Sequence, residues 1–253
     1  MIGAAAKTPT EIVKEAHRKY YEAGGYSGDR YSWTVQTFLP GCKGKRILEV
    51  GCGTGKLLEL LFPDNEVSGV DASEDGIAAC RSRGILAHCM DASSEPLPYP
   101  DEWFDAVICL ETFEHMPNPY YALMEVRRVL KRDAKLICSV PNPNWGHIML
   151  YPGLFEYKSF CQFLEQCGFQ ILRVEPWEWA PRETILPASL RRFRLLRSRY
   201  VAGVLLRGLA LLWRGAGRFP AFCYWLWTFE AVKTEMGNAP LLTRQSMQTS
   251  PKG

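Results

Sequence analysis

Arg46-Ile-Leu-Glu-Val-Gly-Cys-Gly-Thr-Gly-Lys56 runs a short apolar segment straight into three glycines at alternate positions, 51, 53 and 55. A helix-forming stretch follows at once. The spacing predicts a buried strand, a tight loop and a helix, with main chain that a ligand can approach because no Cβ stands in the way. Further along, Glu66-Val-Ser-Gly-Val-Asp-Ala-Ser73 reads as a second strand ending in an acid, Asp71, twenty residues after Gly51. A carboxylate at that point can accept hydrogen bonds from both hydroxyls of a ribose.

Three nucleotide-site readings compete for this loop. A phosphate-binding loop needs four residues between its first glycine and Gly-Lys, then Ser or Thr. Here Leu57 follows Lys56 and no glycine sits at the required distance. A nicotinamide dinucleotide site wants G-x-G-x-x-G or a terminal Ala, whereas this loop is G-x-G-x-G. The glycine pattern therefore favours a third reading. Glu49-Val-Gly-Cys-Gly-Thr-Gly55 resembles the first motif of the class I S-adenosylmethionine-dependent methyltransferases, and Gly69-Val-Asp-Ala72 resembles their second.

The likeness continues in order along the chain. Ile85 to Ala92 reads as a third strand that ends Met-Asp-Ala, and Leu97-Pro-Tyr-Pro-Asp-Glu-Trp-Phe-Asp-Ala-Val-Ile-Cys109 resembles the family's passage into its fourth strand. Leu110-Glu-Thr-Phe-Glu-His-Met-Pro-Asn-Pro119 is similar to the type 11 group, which includes ubiquinone-pathway enzymes. The resemblance implies an α/β fold: a Rossmann-like, seven-stranded methyltransferase sheet with helices on both faces. It also implies S-adenosyl-L-methionine as cofactor. Glu49, Gly51, Gly53 and Gly55 are then assigned to its methionine end, Asp71 and Ala72 to the ribose, and Asp91 and Ala92 to the adenine. Glu111 is a further cofactor candidate.

Composition is consistent with such an enzyme. With 253 residues, of which 47% are hydrophobic, the chain can bury one substantial core plus an elaboration. Nine cysteines lie scattered without C-x-x-C pairs, which suits reduced thiols in the cytoplasm and indicates no metal site. The first ten residues carry too short an apolar run for a signal peptide. A net charge of +3 is too slight to argue for nucleic acid.

Alternating strands and helices from residue 46 predict a parallel sheet covered on both sides. Helices are expected at 10–21, 31–39, 120–131 and 157–167, the last stopped by Gly168, with later strands at 134–140, 169–175 and 228–233. The expected organisation is an N-terminal helical cap over 1–45 and a methyltransferase domain over 46–176 plus 228–236. An insertion over 177–227 and a disordered tail over 237–253 complete it.

The insertion separates strands six and seven, so it is expected to hang over the end of the sheet where ligands bind. Residues 189–220 hold eight arginines, at 191, 192, 194, 197, 199, 207, 214 and 218, and no acid, interleaved with leucines and aromatics. Val201 to Trp213 is interrupted by Arg207 and falls short of a membrane span. Two readings stay open: a helical element lying peripherally at a membrane or on a lipid-linked acceptor, and a lid packed on the domain with solvated arginines.

His115 follows the fourth strand at the edge where the glycine loop lies, and imidazole titrates near neutral pH, so it is the candidate general base. Glu114 is the alternative acid/base. Trp145, His147 and Tyr151 are candidate acceptor-pocket residues, Tyr26, Tyr31 and Trp33 candidates to close the site, and His88 is read as structural. The expected acceptor is a hydroxyl of a small or lipid-linked, glycan or polyprenyl-phenol intermediate. Two alternatives remain: a non-catalytic methyltransferase-like adaptor that uses the basic insertion, and an NAD-dependent oxidoreductase.

Overall fold

The computed structural model describes residues 28–145, 149–179 and 224–235. Within them, helix α1 (Gly28–Phe38) precedes strand β1 (Arg46–Val50), helix α2 (Lys56–Leu61), strand β2 (Glu66–Asp71), helix α3 (Glu74–Ser82) and strand β3 (Leu86–Cys89). The second half is β4 (Phe104–Leu110), α4 (Pro119–Val129), β5 (Leu130–Pro141), α5 (Tyr157–Gln166), β6 (Phe169–Trp179) and β7 (Tyr224–Lys233). The strands form one seven-stranded sheet in the order β3-β2-β1-β4-β5-β7-β6. The first five are parallel, and β7 runs antiparallel between β5 and β6.

Strand side chains alternate between the faces, and two cores follow from that period of two. Leu48 and Val50 of β1, Val107 and Cys109 of β4 and Leu136 and Cys138 of β5 join α4, α5 and Phe229 in one cluster. Ile47, Ala106, Ile108 and Ile137 face the other way, against Leu57, Leu58, Ile77 and Phe38. Burying a side chain of this kind contributes about 1.5–3 kcal/mol, so the two clusters dominate the stability of the sheet. Glu49 shares the parity of Ile47 and so lies on the face that α1 and α2 cover.

Helix ends follow local chemistry. Asn118 accepts a hydrogen bond from the Tyr121 amide at 3.0 Å, with Pro119 next in the first helical turn, which starts α4. Gly168, at φ +77°, ends the turn after α5, as expected for a glycine beyond a helix C-terminus. Its carbonyl accepts the Thr234 amide at 2.9 Å, which ties the end of β7 to that turn.

Several boundaries differ from expectation. The third strand covers Leu86–Cys89 rather than 85–92, because Asp91 bends the chain by accepting the Ser93 amide at 2.9 Å. β5 begins four residues before Ala134, through the exposed turn at Arg132 and Asp133, where Asp133 takes φ +58°. β6 and β7 are both longer than expected; Trp179 pairs with Tyr224, so the two strands meet up to the point where the intervening segment leaves. The helix expected at 10–21, the basic stretch 189–220 and the tail after 236 lie outside the described residues.

Candidate active site

The carboxyl ends of β1, β2 and β4 converge on the glycine loop. Gly51 at φ +77°, Gly53 at +51° and Gly55 at +76° all take left-handed conformations that strain other residues. At Gly51 a second constraint applies: a Cβ would stand 2.5 Å from Thr112 Cγ2. Thr112 is held there by its hydroxyl, which donates to the carbonyls of Leu110 at 3.0 Å and Val50 at 3.2 Å. The loop after β4 therefore rests directly on the backbone of the loop after β1.

Asp71 organises the same loop. Its Oδ2 accepts the Gly53 amide at 2.8 Å and its Oδ1 the Ser73 amide at 2.8 Å. Each oxygen keeps acceptor capacity toward a ligand, and Ala72 beside it is exposed. Asp91 is half-buried after β3, with Oδ1 accepting both the amide and the hydroxyl of Ser93 at 2.9 and 2.6 Å. Ala92 is buried next to it. Glu49, the three glycines, Asp71, Ala72, Asp91 and Ala92 thus sit at the ends of three neighbouring strands, β1, β2 and β3.

Beneath the loop lies a cluster of buried charge. Glu49, Glu111 and Glu114 are 3%, 9% and 0% exposed, and Arg30 of α1 is 3% exposed. Arg30 forms an ion pair with Glu111. Among the described residues three carboxyls stand near one guanidinium, an imbalance that disfavours charging all three out of water. Burial pushes Glu49 well above the usual carboxylate range, and nearby Cys80 and Asp71 push it further, while Arg30 opposes them. Burial likewise lifts Glu114 to about 8, again against the pull of Arg30. Glu49 Oε2 is buried without a hydrogen-bond partner, an acceptor facing no donor of the described chain. Glu111 holds φ +48°, unusual for a side chain with a Cβ, and its amide donates to the Ser139 carbonyl at 3.0 Å and hydroxyl at 3.2 Å. Strain of about 1–2 kcal/mol at such a position is characteristic of functional sites.

His115 closes a short 3-10 turn, Phe113–His115, with its Nε2 3.8 Å from Glu114 Oε1. The segment after Met149 straps this turn down: the Leu150 amide donates to the Glu114 carbonyl at 3.0 Å and the Tyr151 hydroxyl to the Pro117 carbonyl at 2.8 Å. Of the other expected residues, Tyr31 is partly buried, and Trp33 packs on Trp177 of β6 with ring centres 4.9 Å apart. His88 rests edge-on against Tyr99 at 5.7 Å, in keeping with a structural role. His147 and Tyr26 lie outside the described residues.

Sequence reasoning missed Arg30, Thr112 and Ser139. Arg30 sits in Gly28-Asp-Arg-Tyr-Ser-Trp33, which carries no periodic or spacing signal for a buried cation. Its role depends on α1 packing beside α2 and bringing Arg30 to Glu111, a tertiary fact.

The residues present fit the cofactor that the motifs imply. A buried, partnerless carboxylate oxygen and an excess of carboxyls suit the ammonium and sulfonium charges of S-adenosylmethionine, and the glycine loop leaves its backbone open to it. A family described as a methyltransferase domain matches residues 48–138. An O-methyltransferase of Penicillium expansum, cnsE, is 28% identical over 165 residues, 58% of this chain and 60% of that protein. A ubiquinone biosynthesis O-methyltransferase of Alkalilimnicola ehrlichii is 35% identical over 116 residues, 44% of this chain and 47% of that one. The chain thus spans about half the length of these relatives. A crystal structure of a SAM-dependent methyltransferase from Archaeoglobus fulgidus superposes with TM-score 0.58 at 22% identity, over 86% of this chain and 99% of that chain. That likeness speaks for the fold alone. Motifs, strand order and domain match agree, and over residues 48–138 the chain carries a match to the methyltransferase domain and is similar to the class I S-adenosylmethionine-dependent methyltransferases.

Proposed function

We propose that this protein transfers the methyl group of S-adenosylmethionine to a hydroxyl oxygen of a small or amphipathic biosynthetic acceptor. The observation that carries the reading is the cluster of buried carboxyls at the glycine loop, where Glu49, close to Asp71, has an oxygen that meets no donor among the described residues. When bound, the cofactor supplies an electrophilic methyl group on a sulfonium. Glu49 and the glycine backbone serve its methionine end, Asp71 and Ala72 its ribose, and Asp91 and Ala92 its adenine. An adaptor with no chemistry to perform has no use for a buried carboxyl cluster, which disfavours that alternative.

A hydroxyl acceptor must lose a proton as it attacks, and positioning supplies much of the remaining rate. His115 takes the proton in this scheme. Glu114, held near 8, is mostly in its acid form at neutral pH, so it serves as a neutral neighbour to the imidazole rather than as the base. Oxygen as the acceptor atom follows the two relatives named above, both O-methyltransferases by name. The finer choice is a lipid-linked, glycan or polyprenyl-phenol acceptor presented through the basic segment 189–220, with peripheral membrane contact. Among the described residues no helix is long and apolar enough to cross a membrane.

Calorimetric titration with S-adenosylmethionine, S-adenosylhomocysteine and NAD, repeated on Asp71→Ala, tests this function. The first two ligands are expected to bind, more than tenfold more weakly after the substitution, and NAD is not. Binding of NAD alone would replace the reading with an oxidoreductase.

A further inference from the structure

The glycine loop carries a thiol that the proposed chemistry does not use. Cys52 lies between Gly51 and Gly53, and its Sγ is 3.9 Å from Cys80 Sγ in α3. Both sulfurs also face one carbonyl: Cys80 Sγ is 3.4 Å and Cys52 Sγ 3.8 Å from the Gly53 oxygen. The surroundings leave room for this pair and little else. A Cβ on Gly69 would stand 2.6 Å from Cys52 Sγ, and one on Gly55 2.7 Å from Cys80 Sγ. A Cβ on Gly76 would stand 2.8 Å from the Gly53 oxygen, so the first turn of α3 also rests on the loop with no side chain between them. Glycines at three positions thus let α3, the loop and two sulfurs share one small volume.

The pair is chemically asymmetric. The contact between the two sulfurs holds the Cys80 thiol below its ordinary value, and the same contact, with burial, holds Cys52 well above it. The more acidic sulfur of the two is the better nucleophile toward an oxidant. Cys52 keeps 6% exposure at the loop, a route by which a small oxidant reaches the pair.

We propose that Cys52 and Cys80 form a reversible disulfide that withdraws the glycine loop from cofactor binding. In the net step the two thiols lose two protons and two electrons to a hydroperoxide, whose O–O bond breaks to give two waters when the oxidant is hydrogen peroxide. A disulfide requires its sulfurs about 2.05 Å apart, so a gap of 3.9 Å must close by nearly half. The loop and α3 are already in contact, so that movement distorts Cys52 and Gly53. The Gly53 amide then leaves Asp71, and the bond from the Gly55 amide to the Cys52 carbonyl, 2.9 Å long, is strained. The effect on cofactor affinity rests on the function proposed above; disulfide formation does not.

The test uses full-length protein carrying Cys89→Ser, which removes an exposed thiol. Trypsin separates the two cysteines cleanly, since cleavage after Arg46, Lys56 and Arg81 leaves Cys52 alone in 47–56 and Cys80 alone in 57–81. After hydrogen peroxide, mass spectrometry is expected to find these peptides joined with two hydrogens lost. Affinity for S-adenosylhomocysteine is expected to fall about tenfold, dithiothreitol to restore it, and prior saturation with that ligand to slow the crosslink. In Cys80→Ser, or Cys80→Ala should the hydroxyl hinder folding, peroxide is expected to leave affinity unchanged. Absence of the 47–56/57–81 crosslink, or full affinity in the crosslinked protein, overturns the inference. If the reduced protein fails to bind the ligand, the functional reading falls instead. Amide exchange at Gly53 and Gly55 then decides the switch: faster exchange in the oxidised form supports it and unchanged exchange ends it.

Discussion

Glu114 shows how burial writes pH dependence into a single residue. Its carboxyl sits near 8 in the folded protein, against about 4.3 in an unfolded chain. Between those values the native state holds a proton that the unfolded chain has released. The stability from this group is therefore complete below about pH 4 and is lost as pH rises to about 8. Glu114→Gln keeps a neutral polar group at the site, so its melting temperature should fall less than that of the wild type between pH 5 and 8. Equal slopes in thermal melts would remove the buried acid from the account. His115 makes the complementary prediction about chemistry. His115→Gln is expected to lower methyl transfer about 100-fold, in the range of a lost general base, while calorimetry finds cofactor affinity within a few fold. Wild-type turnover in that variant would end the assignment.

Among the elements, α1 connects the site to the far side of the sheet. Arg173 of β6 donates to the Thr37 carbonyl at 2.7 Å and to Glu230 Oε2 at 2.9 Å, and its guanidinium lies 4.6 Å from the centre of the Phe38 ring. Glu230 of β7, 7% exposed at its side chain, also pairs with Lys135 of β5 at 2.7 Å. Three strands and the end of α1 are thereby joined through one buried carboxylate. Arg173→Ala should free the end of α1, whose other end brings Arg30 to Glu111. Faster amide exchange over 28–38 and a roughly three- to tenfold loss of S-adenosylhomocysteine affinity are expected, at a cost of about 1–3 kcal/mol in stability. Retained protection over 28–38 would show that packing of Trp33 and Phe38 suffices without the arginine.

For the molecule as a whole, the sheet should not depend on the segment between β6 and β7. The two strands pair from Phe169↔Lys233 to Trp179↔Tyr224, so their facing ends can be joined by a short hairpin turn. Replacing 180–223 with a four-residue Asn-Gly turn is expected to leave the melting temperature within a few degrees and cofactor affinity within about threefold. Use of an amphipathic acceptor and binding to anionic vesicles are expected to disappear. Loss of the fold on this replacement would make the segment part of the core instead of an elaboration on it.

The parallel sheet, the glycine loop and the acid after β2 could be read from the chain because each leaves a local mark. A buried strand is a run of apolar residues, and positive φ at 51, 53 and 55 calls for glycine at those positions whatever the surroundings. Asp91 was singled out only through family resemblance, as one residue has no period, and His115 only through its place after the fourth strand and the chemistry of imidazole. The bond between Asp71 and Gly53, the contact of Gly51 with Thr112 and the Cys52–Cys80 pair join residues between 18 and 61 positions apart. No local preference encodes such meetings. By itself the sequence determined the order and kind of the elements and the backbone shape of the loop, since those depend on neighbours in the chain. Tertiary structure alone decided that Arg30 would meet three buried glutamates and that Glu114 would hold its proton near neutral pH, because desolvation and charge pairing depend on what the fold brings together.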